Sequence, residues 1–514
     1  MKKIIVIGAG ISGLSSGCYA AMNGYDVQIV EAHSLPGGLC TSWKRNGYLI
    51  DGSCHMLMGT DPSNGYYQIW QELGALQGRR IADYEHFACM TALDGRVFRL
   101  YTDIDLLERH MKELSPSDAA PIEAFCGFIR KFAKFKIPVG KPAELMGFLD
   151  GMRMMIGVLP FMKLLGELIS LTLEDFAARF KDPLLRDGIR NANYGAPGSL
   201  FSIVMPLAAM SRKAGGYPIG GSLAFARAIE ARFTGLGGKV RYGARVTRVL
   251  ERNGRVTGVR LEGGTEMEAD YVIAACDMRS ALMNLLDGSR IDPVHKELMD
   301  SGTLTGPVTQ IALGVNLDLS GSPAAQLELF QLPKPISIGG RSVDWFNVKN
   351  YAFDPAMAPR GKSLLLSMFI SEWSHWEKLK DDLLAYKAEK ERTAEVCISA
   401  LETRYPSIRN KVEMVDVATP LTFERYTGNW QGTHMTWQPS EEFQRRHPFI
   451  PKTVPGLDGF YLASMWTNPP GGLPGAAEVG RGVAQIICAR DKKRFVTTSA
   501  PAPHPLQASN ITAC

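Results

Sequence analysis

Residues 4–13 read IIVIGAGISG, and this short stretch decides the fold of the chain. Its first four residues form an apolar run typical of a buried strand, and the glycines then turn the chain into a helix. A second apolar strand follows and ends at Glu31, about 20 residues after the turn. In such a unit Gly8 permits the tight turn, Gly10 lets a pyrophosphate approach the backbone, and Gly13 lets helix and strand pack closely. The stretch predicts a dinucleotide-binding unit in which Glu31 accepts hydrogen bonds from a ribose.

Length and composition indicate a large globular protein. The chain has 514 residues, 45% of them hydrophobic and 21% charged, which is enough for roughly three domains. Its net charge of +5 is modest, and no basic run with interleaved aromatic residues occurs, so we expect no nucleic-acid partner. No apolar stretch approaches the roughly 18 uninterrupted residues of a membrane-spanning helix.

The cysteines and the N-terminus indicate where the protein functions. Nine scattered cysteines show neither a CxxC pair nor a Cys/His metal spacing, so we expect no metal site. Lys2 and Lys3 before an apolar stretch resemble the start of a secretion signal, but glycines interrupt that stretch and a folded pattern continues from it. The odd number of cysteines and the missing signal favour a reducing cytoplasm.

Glycine-rich turns at strand ends recur in three separated places. The first segment contains a second cluster at Gly37 and Gly38. The second begins at residues 217–222, before a helix and a series of short strands that end with a buried strand at 269–275. The third is a strand at 459–463 that leads through residues 469–475 into a helix. Three such turns in one chain predict a discontinuous domain that holds an extended cofactor.

Two inserts separate these segments. The first, residues 95–214, is mostly helical, and its stretch 145–173 is rich in methionine and leucine but too charged to span a bilayer. Amphipathic helices on a membrane or along an apolar tunnel, and an ordinary helical core, are equally consistent with this composition. The second insert, residues 280–455, mixes strands at 309–315 and 363–369 with a charged helix at 381–403. The tail from residue 495 is predicted to be disordered.

With these motifs in view, the chain resembles the phytoene desaturase-like family of FAD-dependent oxidoreductases. That group includes carotenoid desaturases, carotenoid isomerases and retinol saturases and is related to amine oxidases. The resemblance implies an α/β fold with noncovalent FAD. It implies a Rossmann-like FAD-binding domain built from residues 1–94, 215–279 and 456–494, and an inserted α+β substrate-binding domain built from 95–214 and 280–455. Residues 495–514 remain as a disordered tail.

The resemblance also implies a lipophilic substrate, of isoprenoid, carotenoid or retinoid type, reached from a membrane that the protein contacts peripherally. Flavin-mediated hydride transfer would then desaturate, saturate or isomerise it. The cofactor-binding residues that the family motifs imply are Gly8, Gly10, Ile11, Ser12, Gly13, Glu31, Ala32, Gly37, Gly38, Leu39, Val246, Gly472, Gly475 and Ala476.

Two departures from the desaturase pattern leave the reaction open. Leu39 follows the paired glycines where desaturases and amine oxidases usually carry an arginine, and His55 follows Asp51 as in the saturase-like pattern. His55 is the candidate for a catalytic proton donor or acceptor because histidine titrates near neutral pH, although a hydrogen-bonded core histidine is also expected at such a position. An amine or amino-acid oxidase and a flavin-free carrier of prenylated cargo are the alternative functions.

Overall fold

A computed structural model describes residues 1–53, 55–322, 325–469 and 471–501. Its first sheet has five parallel strands. In spatial order they are Lys239–Arg241, Asp26–Val30, Lys3–Ile7, Tyr271–Ala274 and Phe460–Leu462. The beginning, the middle and the end of the chain all contribute strands to this sheet. The order, with a crossover at the first strand, confirms the predicted α/β, Rossmann-like fold.

Both faces of the first sheet are covered, which explains why its strands are apolar without alternation. Ile4 and Val6 pack under three helices, whereas Ile5 and Ile7 pack on the opposite face. The covering helices are Ile11–Met22, Gly221–Gly235 and Leu473–Arg490. The opposite face carries a three-stranded antiparallel sheet, Val246–Arg252, Arg255–Leu261 and Glu266–Glu268.

The second sheet has seven strands and is mixed. In spatial order they are Val412–Ala418, Val308–Val315, Ser363–Ile370, Arg341–Asn350, Ala325–Ile338, His86–Thr91 and Val97–Tyr101. Only Ala325–Ile338 and His86–Thr91 run parallel to each other; the other neighbours are antiparallel. The helix Leu383–Glu402 packs on this sheet, which matches the predicted strands and charged helix of the second insert.

One predicted domain boundary conflicts with this pairing. The boundary expected at residue 94 falls in the turn between His86–Thr91 and Val97–Tyr101, and both strands lie in the second sheet. Local pattern alone does not reveal this assignment, because the partner strand Ala325–Ile338 is more than two hundred residues away in sequence. We therefore propose that the first FAD-binding segment ends before His86; the other boundaries stay predictions.

The first insert is helical, as its composition predicts. Its helices are Ile104–Leu114, Ala119–Phe132, Phe148–Val158, Met162–Ser170, Leu173–Ala177, Pro183–Asn191 and Phe201–Ser211. Most of them bury one face in the core under the second sheet. Phe148–Val158 buries no residue, and among the described residues no helix combines the length and the apolar character needed to cross a membrane.

The first residues of the tail contact two helices that cover the first sheet. Phe495 packs beside Tyr19 with 5.9 Å between ring centroids, and Arg232 donates a hydrogen bond of 2.8 Å to the Thr498 carbonyl. The disorder of the tail stays a prediction, and residues 502–514 lie outside the described residues.

Shorter elements connect the two sheets. The small strands are Ser42–Arg45, Tyr48–Asp51, Leu57–Met58, Ile81–Ala82, Gly215–Pro218, Thr303–Leu304 and Trp437–Gln438. The remaining helices are Tyr66–Glu72, Met278–Ser280, Pro293–Ser301, Trp373–Glu377, Pro420–Thr427 and Glu441–Arg446.

Candidate active site

One cavity brings the predicted site residues together. Its volume is about 1650 Å³, larger than the roughly 300–1,000 Å³ of ordinary small-molecule pockets. Every predicted cofactor residue lines it except Gly13, and so does His55. The volume is large enough for a dinucleotide together with a second elongated molecule.

The first glycine turn has the geometry that its sequence predicts. Gly8 has a φ of +102°, a value that favours glycine, and its N–H donates to the Val30 carbonyl at 2.8 Å. A Cβ on Gly13 would lie 1.9 Å from the Gly8 carbonyl oxygen. Gly13 therefore lies on the side of the turn away from the cavity. Its lack of a side chain allows the helix Ile11–Met22 to begin beside the strand. The N-terminus of that helix opens on the cavity, where its free N–H groups favour an anion.

Glu31 is fixed at the edge of this turn. Its carboxylate accepts hydrogen bonds from the backbone N–H groups of Ala9, at 2.6 Å, and His33, at 2.8 Å. A carboxylate offers about four lone-pair sites, so acceptor capacity remains for hydroxyl groups in the cavity.

The second glycine turn, at Gly37 and Gly38, is hydrogen-bonded directly to the first. The Gly37 N–H donates to the Ala9 carbonyl at 2.8 Å, and Gly10 and Gly37 form an isolated parallel bridge. Gly37 and Gly38 have φ values of +109° and +61°. A side chain at Gly37 would collide with the Cys40 carbonyl, so glycine is required for the turn itself.

The third glycine turn, at Gly472, lies at the same cavity, and the helix that follows it crosses the first helix of the chain. Gly472, with a φ of +92°, precedes the helix Leu473–Arg490. This helix crosses Ile11–Met22 so closely that a Cβ on Gly480 would lie 2.5 Å from the Ser12 carbonyl. The Ser15 hydroxyl donates to the Ala477 carbonyl at 2.6 Å across the crossing. Two helix N-termini and the glycine turns at Gly8, Gly37 and Gly472 therefore border one space, whereas the predicted turn at residues 217–222 does not line it.

A family model described as flavin containing amine oxidoreductase matches residues 11–488 of the chain. The chain belongs to this family. It is an FAD-dependent oxidoreductase, and its cofactor fits the positive-φ glycines and open helix ends in the cavity wall. The family and the cofactor exclude the flavin-free carrier that the sequence left open.

Relatives and solved structures agree with this assignment. A lycopene-forming phytoene desaturase of a Paracoccus species is 25% identical and aligns over 95% of this chain and 97% of its own length. A chloroplastic prolycopene isomerase of Daucus carota is 26% identical over 84% of this chain and 71% of its own length. The cyclohexylamine oxidase of Brevibacterium oxydans has the same fold, with a TM-score of 0.58 and 14% identity over 96% of this chain and 100% of that structure.

Sequence reasoning missed a buried polar network in this flavoenzyme. The Asp51 carboxylate, fully buried, accepts hydrogen bonds from the Tyr217 hydroxyl at 2.5 Å and from the Ser222 hydroxyl. The Gln310 side chain donates to the Asp51 carbonyl at 3.0 Å. Burial raises the pKa of the Asp51 carboxyl, and the positive charge of Lys349 opposes that shift. The network joins the second sheet to the strand Tyr48–Asp51 and to the helix Gly221–Gly235.

Lys349 is the second feature that sequence reasoning missed. Its side chain is buried in the strand Arg341–Asn350, and its ammonium group lies 4.7–5.2 Å from the ring centroids of Tyr84, Tyr217 and Tyr351. Cation–π attraction favours that position. The strand reads RSVDWFNVKN and gives no local sign of a buried lysine, which is almost never fully buried without partners.

The two histidines of the site are held neutral. Burial lowers the pKa of His55 well below its usual value, and the nearby charge of Lys349 lowers it further. Burial lowers the pKa of His434 to about 4. His434 packs edge-on against Phe423, with 4.2 Å between ring centroids. Among the described residues, no three metal-ligating side chains meet in a group that could hold an ion.

Proposed function

We propose that this flavoenzyme acts on an apolar, isoprenoid-like molecule of carotenoid or retinoid type. The observation that carries the proposal is the shape of the cavity, which extends beyond the glycine turns into the helical insert. The walls there are apolar and aromatic: Met56, Met58, Phe87, Phe132, Phe135, Phe201 and Met205. Such a surface binds a long hydrocarbon by removing it from water.

The named relatives support the same substrate class. Both the desaturase and the isomerase carry carotenoid names and align over most of this chain. At about a quarter identity they do not fix the reaction, so desaturation, saturation and isomerisation remain within the proposal.

We propose that the predicted residues hold FAD in the order of the motifs. Gly8, Gly10 and the first helix would bind the pyrophosphate, Glu31 the ribose, and the turn at Gly472 the flavin end. When bound, the flavin supplies the hydride chemistry. The chain itself supplies orientation and a dry, apolar enclosure for the reacting carbon atoms.

His55 suits hydrogen bonding better than proton transfer. Because its pKa lies well below neutral pH, its imidazole is uncharged and carries no acidic proton to donate as a general acid. We propose that it contacts the substrate as a neutral group.

We further propose that the substrate enters from a membrane surface. The helices Phe148–Val158 and Met162–Ser170 expose large apolar side chains, with Phe148 86%, Leu149 63% and Ile156 64% exposed. Seven basic and two acidic residues lie between positions 130 and 163, so this face also attracts anionic lipid headgroups. Phe161, between the two helices, packs beside Phe135, which lines the cavity, with 5.0 Å between ring centroids.

An anaerobic assay of the FAD-loaded protein tests the proposed substrate class. We expect a carotenoid or a diterpene to change the redox state of the flavin or to be converted, as followed by the visible spectrum and by chromatography. Met205→Trp, which fills the apolar part of the cavity, should abolish this response. Leu93→Trp, at an exposed position away from the cavity, should leave it intact.

Oxidation of an amine is the competing outcome. Reduction of the flavin by a primary amine, with peroxide formation and with no response to any apolar compound, would contradict the proposal.

A further inference from the structure

Three polar atoms in the wall of the cavity have no hydrogen-bond partner in the described part of the chain. They are His55 Nδ1, Tyr194 Oη and Gln326 Oε1. All three residues line the cavity, and the Gln326 side chain belongs to a residue only 7% exposed. A buried polar group without a partner costs about 1–3 kcal/mol, so such atoms mark a place where a ligand supplies the partner.

The three side chains come from separate segments and meet in one place. His55 follows the strand Tyr48–Asp51, Tyr194 follows the helix Pro183–Asn191, and Gln326 lies in the second sheet. The rings of His55 and Tyr194 are 5.5 Å apart between centroids. Burial raises the pKa of the Tyr194 phenol, and the nearby Gln326 amide opposes that rise, although the pair does not reach hydrogen-bond geometry. We call these three residues the polar cluster.

The backbone at Tyr194 is strained, which indicates that the surrounding structure fixes this residue. Its φ is +56°, a left-handed value that is uncommon for a bulky residue. Strain of this kind costs about 1–3 kcal/mol and persists where the surrounding structure fixes the residue.

The polar cluster carries no charge. Burial raises the pKa of the Tyr194 phenol and lowers the pKa of the His55 imidazole, so both stay neutral near pH 7, and Gln326 does not titrate. Lys349, the nearest cation to His55, is not among the residues that line the cavity. A carboxylate would lose its hydration here without an ion-pair partner among the three side chains, and an ammonium group would also meet the positive charge of Lys349.

We propose that the polar cluster is a subsite for one neutral oxygen atom, a hydroxyl or a carbonyl, on an otherwise apolar substrate. The inference rests on the proposed function and narrows it: the substrate is an oxygenated isoprenoid and not a plain hydrocarbon. A hydrocarbon would leave the three atoms unpaired, whereas a hydroxyl group donates to one of them and accepts from another. Sites that hydrogen-bond a substrate hydroxyl reject the analogue that lacks it.

Binding of two matched ligands to the FAD-loaded protein tests the subsite. The ligands are geranylgeraniol and the hydrocarbon that lacks only its hydroxyl, and binding is followed by perturbation of the flavin spectrum and by quenching of tryptophan fluorescence. We expect the alcohol to bind at least about tenfold more tightly than the hydrocarbon. Tyr194→Phe and Gln326→Leu, each made separately, should weaken binding of the alcohol about tenfold and leave binding of the hydrocarbon unchanged or tighter.

Tyr405→Phe is the matched control, because it removes a half-buried phenol hydroxyl away from the cavity and should preserve the preference. Equal binding of the two ligands, or a preference that survives in both cavity variants, would overturn the subsite while the proposed apolar substrate stands. Binding of neither ligand in the wild-type protein would overturn the proposed function and the subsite together.

Discussion

The ammonium group of Lys349 donates a hydrogen bond of 3.1 Å to the backbone carbonyl of His55. The Tyr84 hydroxyl donates to the same carbonyl at 3.0 Å. A strand of the second sheet and an aromatic residue beside it therefore fix the loop that presents His55 to the cavity. The imidazole gains its position from this backbone contact, and its pKa is lowered by burial and further by the same positive charge.

Replacement of this lysine should destabilise the protein more than replacement of a surface lysine. Lys349→Met keeps the length of the side chain but removes the donor to His55 and the charge that opposes the raised pKa of Asp51. We expect a loss of about 1–3 kcal/mol in the free energy of unfolding, measured with urea. Lys362→Met breaks a surface ion pair with Glu413 and should cost less than about 1 kcal/mol. An equal loss in the free energy of unfolding for both variants would show that the contacts of Lys349 do not stabilise the folded protein.

Two glycine-to-alanine changes should have opposite effects on stability. At Gly13 the new Cβ would lie 1.9 Å from the Gly8 carbonyl, so the turn must shift; we expect a cost of about 1–3 kcal/mol and a loss of bound flavin. Gly127 lies in the helix Ala119–Phe132 with open space around it, so alanine there should stabilise by about 0.5–1 kcal/mol. Urea unfolding and the flavin content of the purified proteins measure both effects. A Gly13→Ala protein with normal flavin content would contradict the role of the turn.

Loss of the Glu31 carboxylate should weaken FAD binding. Glu31→Ala removes the acceptor for the Ala9 and His33 N–H groups and the proposed ribose contact. Hydrogen bonds to a charged group contribute about 1.5–3 kcal/mol, so the Kd for FAD should rise about ten- to a hundredfold. Fluorescence titration of the apoprotein with FAD measures it. Glu113→Ala, at an exposed helix position, should bind FAD like the wild type.

Acid should destabilise the protein partly through His434. Burial lowers the pKa of His434 from the usual 6.5 to about 4 in the folded state, so the unfolded state binds the proton more tightly. The neutral side chain's contribution is complete above pH 6.5 and is lost as the pH falls from 6.5 toward 4. Between pH 7.5 and 5 this amounts to about 2 kcal/mol for such a shift.

His434→Gln should lack that part of the pH dependence. Urea unfolding at both pH values compares the variant with the wild type. The same loss of stability in both proteins would show that other groups carry the effect.

A single charge on the exposed helix should reduce membrane binding. Ile156→Asp places a carboxylate where the apolar side chain is 64% exposed and would enter the lipid interface. We expect less sedimentation with vesicles that contain anionic lipids than for the wild type. Leu93→Asp changes a side chain that is 57% exposed in the hairpin of the second sheet and should bind vesicles like the wild type. Vesicle binding that is equally weak in all three proteins would contradict the proposed membrane face.

The sequence by itself determined the parts of the site that depend on local backbone geometry. A turn with a positive φ needs glycine whatever surrounds it, so Gly8, Gly37 and Gly472 were recognisable one segment at a time. Strand and helix patterns around them were equally local. The α/β fold, the family and FAD followed from these short stretches.

Only the tertiary structure decided which residues, distant in sequence, lie close together in space. The pairing of His86–Thr91 with Ala325–Ile338 moved a domain boundary, and chain folding brought His55, Tyr194 and Gln326 together from three segments. The contacts of Lys349 with His55 and its aromatic neighbours arise in the same way. No local sequence pattern predicts these contacts, because burial and hydrogen bonding between residues remote in sequence depend on how the two sheets pack against each other.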